Sequence, residues 1–102
     1  MTNEELKELI FNELINQVGK AFVKLPDTEF FMRIASDIAA QKELSEKSTS
    51  DEERQKIRTN IDHLQTQIML RIESNKIKLA RKGEMVLNNG IRFVIRKFIP
   101  WV

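Results

Sequence analysis

The sequence predicts a mainly α fold: a helical bundle of three main helices, one of them long, followed by a short C-terminal tail that is extended or a β-hairpin. Three observations predict it. Apolar residues recur at helical spacing from Leu6 to Leu25 and again from Ile57 to Ile72. No Pro or Gly interrupts the stretch between Ser50 and Gly83, and after Gly83 the pattern changes to β-branched runs on either side of Asn89-Gly90. The expected organisation is a helical domain over 1–82 and a basic, apolar C-terminal tail over 83–102.

The first helix has Thr2 or Asn3 as its N-cap, with Glu4 and Glu5 in the first turn where the helix dipole favours acids. Its stripe is Leu6, Leu9, Ile10, Leu14, Val18, Phe22 and Leu25. Phe11 and Ile15 lie off that stripe, so the helix is apolar over more than one face and is expected to meet two neighbours or a second subunit. Pro26 ends it. Asp27 or Thr28 opens a second helix carrying Phe30, Phe31, Ile34, Ala35, Ile38 and Ala39, which is expected to fray by Leu44.

Ser50, followed by Asp51, Glu52 and Glu53, has the residues of an N-cap with an acidic first turn, and Glu53 stands at the capping-box position. The third helix then places Ile57, Ile61, Leu64, Ile68 and Ile72 on one face. An unbroken run to Gly83 would span roughly 45 Å. A helix that long must extend past a single bundle, cross a subunit interface, or break near Ser74-Asn75. Met69, Leu70, Ile77 and Ala80 widen its apolar surface, which points toward burial by a partner.

The last segment supports two readings. Met85 to Asn88 and Ile91 to Ile95 flank Asn89-Gly90, a dipeptide suited to a two-residue hairpin turn, and the β-branched content favours strands. Ile91, Val94, Ile95 and Phe98 also fit one helical face, with Pro100 as a stop.

Composition narrows the functions. With 41% hydrophobic and 31% charged residues in 102, the chain is a single folded domain with little surplus for an internal cleft. There is no cysteine, which excludes disulfides, thiolate metal sites and cysteine nucleophiles and fits an intracellular, cytoplasmic location. The acidic start is unlike a signal peptide, and no apolar run reaches membrane-spanning length. The net charge of +2 hides an asymmetry. Met1 to Leu70 holds nine Lys/Arg against thirteen Asp/Glu, whereas Arg71 to Val102 holds eight against two.

No catalytic, cofactor-binding or metal site can be assembled from these residues. His63 is the one histidine, and its neighbour Asp62 points along a different azimuth of the helix. Ser48, Thr49 and Ser50 serve capping better than nucleophilic chemistry, and the isolated Gly19, Gly83 and Gly90 form no phosphate loop. Two binding sets remain. Phe11, Ile15, Phe22, Phe30, Phe31, Ile77, Phe93, Ile95, Phe98 and Trp101 are expected at a protein interface. Arg71, Lys76, Lys78, Arg81, Lys82, Arg92, Arg96 and Lys97 are the residues that could follow a nucleic-acid backbone, although cations in the last turns of a helix also need no partner.

Three segments, in order, resemble the GINS replication subunits of the type in which a helical domain precedes a small β domain. Leu25-Pro26-Asp27-Thr28-Glu29-Phe30-Phe31 is similar to the stretch that opens the family's second helix, with Phe31 where a tyrosine is usual. Ile57 to Ala80 resembles the long central helix with its Lys76-Ile77 and Leu79-Ala80 ending. Ile91-Arg92-Phe93-Val94-Ile95 and Ile99-Pro100-Trp101-Val102 are similar to the first strand of the β domain. The resemblance implies a non-enzymatic, oligomeric scaffold without cofactors, which joins the MCM replicative helicase to a RecJ-like protein. The alternative is a small helical nucleic-acid-binding or regulatory protein, of a kind found in viruses and mobile elements, that uses the basic C-terminal third.

Overall fold

The computed structural model describes residues 2–21, 28–74 and 81–102. It contains four helices: α1 (Asn3–Ala21), α2 (Thr28–Lys47), α3 (Asp51–Ser74) and α4 (Arg81–Phe98). Among the described residues there is no strand, so the expected fold of three helices with an extended or hairpin tail is corrected to a four-helix arrangement.

The caps anticipated from sequence set two of the helix starts. The Thr2 hydroxyl oxygen accepts a hydrogen bond from the Glu5 amide at 3.2 Å and donates to the Glu5 carboxylate. At α3 the capping is reciprocal: Ser50 Oγ accepts from the Glu53 amide at 3.2 Å, and the Glu53 carboxylate accepts from the Thr49 amide at 3.1 Å. Each bond satisfies an amide that the helix itself cannot. α2 runs to Lys47 rather than fraying at Leu44, with its last turns carrying the ion pairs Lys42–Glu46 and Lys47–Glu43.

Each helix packs against the next in sequence, and α4 closes the arrangement on α1. The cross-links fix the directions. Gln41 bonds Asn60 between α2 and α3, Gln65 bonds Asn88 between α3 and α4, and Lys97 bonds Glu13 between α4 and α1. Arg92 reaches Asp62 while Asn88 meets Gln65, so α3 and α4 run in opposite directions. The chain has therefore reversed by Arg81. α3 spans about 36 Å, against the roughly 45 Å of an unbroken helix.

One core joins all four helices: Ile10, Leu14 and Val18 from α1, Phe31, Ile34, Ala35 and Ile38 from α2, Ile57, Ile61, Leu64, Ile68 and Ile72 from α3, and Leu87, Ile91, Val94 and Ile95 from α4. Ile99 and Val102, beyond the end of α4, complete it. Phe11 and Ile15 pack against this core from its edge. The width of the α1 apolar surface is thus taken up by α2 on one side and α4 on the other.

The same inventory explains why residues 85–98 are helical. Val94 and Ile95 are both fully buried, whereas a strand would send these neighbours to opposite faces. Leu87, Ile91, Val94, Ile95, Ile99 and Val102 all enter the core, and burying an aliphatic side chain contributes about 1.5–3 kcal/mol. Strand preference spans only about 1 kcal/mol, and an isolated two-stranded hairpin is marginal in water. Core burial therefore decides the conformation, against the local signal of Asn89-Gly90.

Candidate functional site

The groove between α1 and α4 on the outer surface gathers the features that a binding site needs. Its two helices are antiparallel, held by Lys97 Nζ donating to Glu13 Oε2 at 2.9 Å and by the close approach of Gly90 to Gln17. On α4, Val86 and Phe93 are two turns apart on one azimuth and are 66% and 56% exposed. On α1, Leu9 lies one turn from Glu13 and is 40% exposed. Lys97 Nζ stands 5.1 Å from the Phe93 ring centroid, so one ammonium serves both the aromatic ring and the Glu13 carboxylate. Met32, Leu44 and Leu70 are also exposed, on α2 and α3, where Leu70 lines a cleft with Met69 and Asn88 and Leu44 one with Ile57 and Asn60. Scattered apolar residues are ordinary on a protein surface, whereas a run along one groove is not.

The structure divides the residues expected at an interface. Phe31 and Ile95 are fully buried within the chain's own core. Phe11, Ile15, Phe30, Phe98 and Trp101 are partly buried against it. Phe30 meets Phe31 edge to face at 5.3 Å. Phe93 alone of the set stands open on the surface, while Phe22 and Ile77 lie outside the described residues. Leu9 and Val86 belong to the groove but were missed, because exposure depends on how each helix is rotated against its neighbours.

The four cations of the nucleic-acid set whose side chains are described, Arg71, Arg92, Arg96 and Lys97, all have partners inside the chain. Arg92 Nη1 donates to Asp62 Oδ1 at 2.8 Å and to Gln65 Oε1 at 3.2 Å. Arg96 Nε donates to the Val102 main-chain oxygen at 2.9 Å. Arg71 lies over the Phe30 ring at 5.4 Å, matched by Arg33 at 5.5 Å, and with Glu29 these residues line a cleft of about 330 Å³. Arg81 and Lys82 open α4, with side chains outside the described residues, as are Lys76 and Lys78 entirely.

Two further arginines hold the end of the chain. Arg54 and Arg58, one turn apart on α3, approach the Trp101 ring at 5.5 and 5.4 Å. This pins the segment after Pro100 to the start of α3 and helps bury Val102. His63 is exposed on α3. Among the described residues no three His, Cys, Asp or Glu side chains converge on a point that could hold a metal ion, and no helix is long and apolar enough to cross a membrane.

Comparison with protein families, curated proteins and solved structures found no match to this chain.

Proposed function

We propose that this chain is a non-enzymatic helical interaction module that works by presenting the outer face of the α1–α4 pair to a protein partner. The observation that carries this reading is the exposure of Phe93 and Val86 along one azimuth of α4, beside Leu9 of α1, in a helix whose inner face is fully used by the core. An aromatic anchor in an apolar groove, bordered by an ion pair, is the pattern of a protein-binding hot spot. The test is binding to a purified partner by titration calorimetry, comparing the wild type with Phe93→Glu. Loss of binding in a variant with unchanged helical circular dichroism supports the reading, and equal binding refutes it.

The specific form of this proposal is a scaffold subunit of a GINS-like replication complex, bridging the MCM replicative helicase and a RecJ-like protein. It is supported by the Leu25 to Phe31 segment around the start of α2 and by the helix over Ile57 to Ser74, while the Lys76-Ile77 and Leu79-Ala80 ending lies outside the described residues. Its third segment, similar to a strand, is helical here, so the support rests on the first two. Purified helicase and RecJ-like protein are the partners to titrate. Absence of binding to both removes this form and leaves the general reading to be tested on other partners.

A second reading is favoured by the charge of α4, which carries Arg81, Lys82, Arg92, Arg96 and Lys97 against Glu84. Binding to DNA through this end would weaken steeply with salt, each phosphate contact contributing about −0.9 to the logarithmic slope. Replacing Lys76, Arg81 and Lys82 together by Glu would then abolish binding. Binding that ignores salt and these charges counts against it.

A further inference from the structure

We infer that the occupant of the α1–α4 face is a second copy of this chain, an inference that rests on the reading of that face as an interaction surface. The argument is charge complementarity within the face itself. Where α4 ends beside the start of α1, α4 presents the exposed Arg96 and Lys97 and α1 presents the exposed Glu5 and Glu8, with Lys97 also paired to Glu13 of its own chain. That end of the face is therefore cationic on α4 and acidic on α1. A heterologous partner would have to match both signs, whereas a second copy matches them by symmetry.

The helix directions decide which symmetry. Since α1 and α4 are antiparallel, the exposed Glu5 and Glu8 turns of α1 lie at the same end of the bundle as Arg96 and Lys97 of α4. A twofold axis parallel to the helices lays α4 of one copy over α1 of the other, with these ends together. Arg96 and Lys97 then face the acidic turns of the second copy, and each contact is made twice. Val86, Phe93 and Leu9 line the groove between the helices, so they fall near the axis, where their counterparts cover them. An axis across the helices would instead lay α4 on α4 and α1 on α1, so that Arg96 and Lys97 would lose the opposite charges of Glu5 and Glu8.

The inference is tested by sedimentation velocity on the full chain from low micromolar to millimolar concentration, at low and high salt. The expected result is a monomer–dimer equilibrium that weakens with salt. Phe93→Glu should raise the dimer dissociation constant about tenfold or more, as removal of a buried aromatic anchor does. Glu8→Lys and Arg96→Glu should each weaken the dimer, and combining them should recover most of the loss. Leu70→Glu, an exposed apolar residue on α3, should leave it unchanged, and circular dichroism keeps all variants to those that fold. A wild type that stays monomeric throughout, or a dimer indifferent to Phe93→Glu, overturns the inference. If a monomeric chain loses a purified partner on Phe93→Glu, the second copy is refuted and the face is kept. If it retains that partner, both fail.

Discussion

Gly90 of α4 lies directly against Gln17 of α1, so close that a Cβ at residue 90 would stand 2.7 Å from Gln17 Oε1. The atom it meets is the far end of a flexible side chain, and the next contacts, at 3.5 and 3.8 Å, are ordinary. Gly90→Ala therefore needs only a swing of the Gln17 amide, while alanine gains up to about 1 kcal/mol of helix propensity over glycine. The expected outcome is a small rise in stability by urea denaturation. A hairpin turn at Asn89-Gly90 would need a positive φ at residue 90, and the same variant would be destabilised.

That contrast shows how much of the fold was legible in the sequence. The α3 stripe Ile57, Ile61, Leu64, Ile68 and Ile72 is buried as its spacing implies, and Ser50 caps the Glu53 amide as expected, while the Glu53 carboxylate reaches back to the Thr49 amide, one residue before the N-cap. α4 was misread because its signals compete. Asn-Gly and β-branching act locally, whereas the helical set of Ile91, Val94, Ile95 and Phe98 gains only when α1 and α3 are there to cover it. The candidate site was less legible still. Phe93 and Ile95 are two residues apart and equally apolar, yet one is on the surface and the other is in the core.

The two phenylalanines Phe31 and Phe93 should respond oppositely to truncation. Phe31 is fully buried, and Phe31→Ala should cost about 3–5 kcal/mol by the lost contacts and the cavity left behind. Phe93→Ala should change the stability of the isolated chain by no more than about 0.5 kcal/mol, as for surface positions generally. Chemical denaturation of both variants checks the difference.

Trp101 is the one tryptophan, and its ring is contacted by Arg54 and Arg58, so its fluorescence reports on the closure of the chain's end over α3. Replacing both arginines by Ala should remove about 0.5–1 kcal/mol for each cation–π contact and shift the Trp101 emission. An unchanged emission spectrum would show that the arginines do not hold the ring.

Ser50→Ala removes the acceptor for the Glu53 amide and should lower stability by about 1 kcal/mol. Ser50→Asp keeps an acceptor at the same place and should restore most of it. Thermal denaturation followed by circular dichroism separates the two.

The central claim, that a second copy of the chain covers the outer α1–α4 face, is tested most directly by nitrogen–proton correlation spectra of the full chain recorded over a dilution series. The account predicts concentration-dependent shifts concentrated at Leu9, Val86, Asn89, Phe93 and Lys97, with α2 and the outer face of α3 unmoved. Spectra that do not change with concentration, or shifts centred on Met32, Leu44 or Leu70, would contradict it.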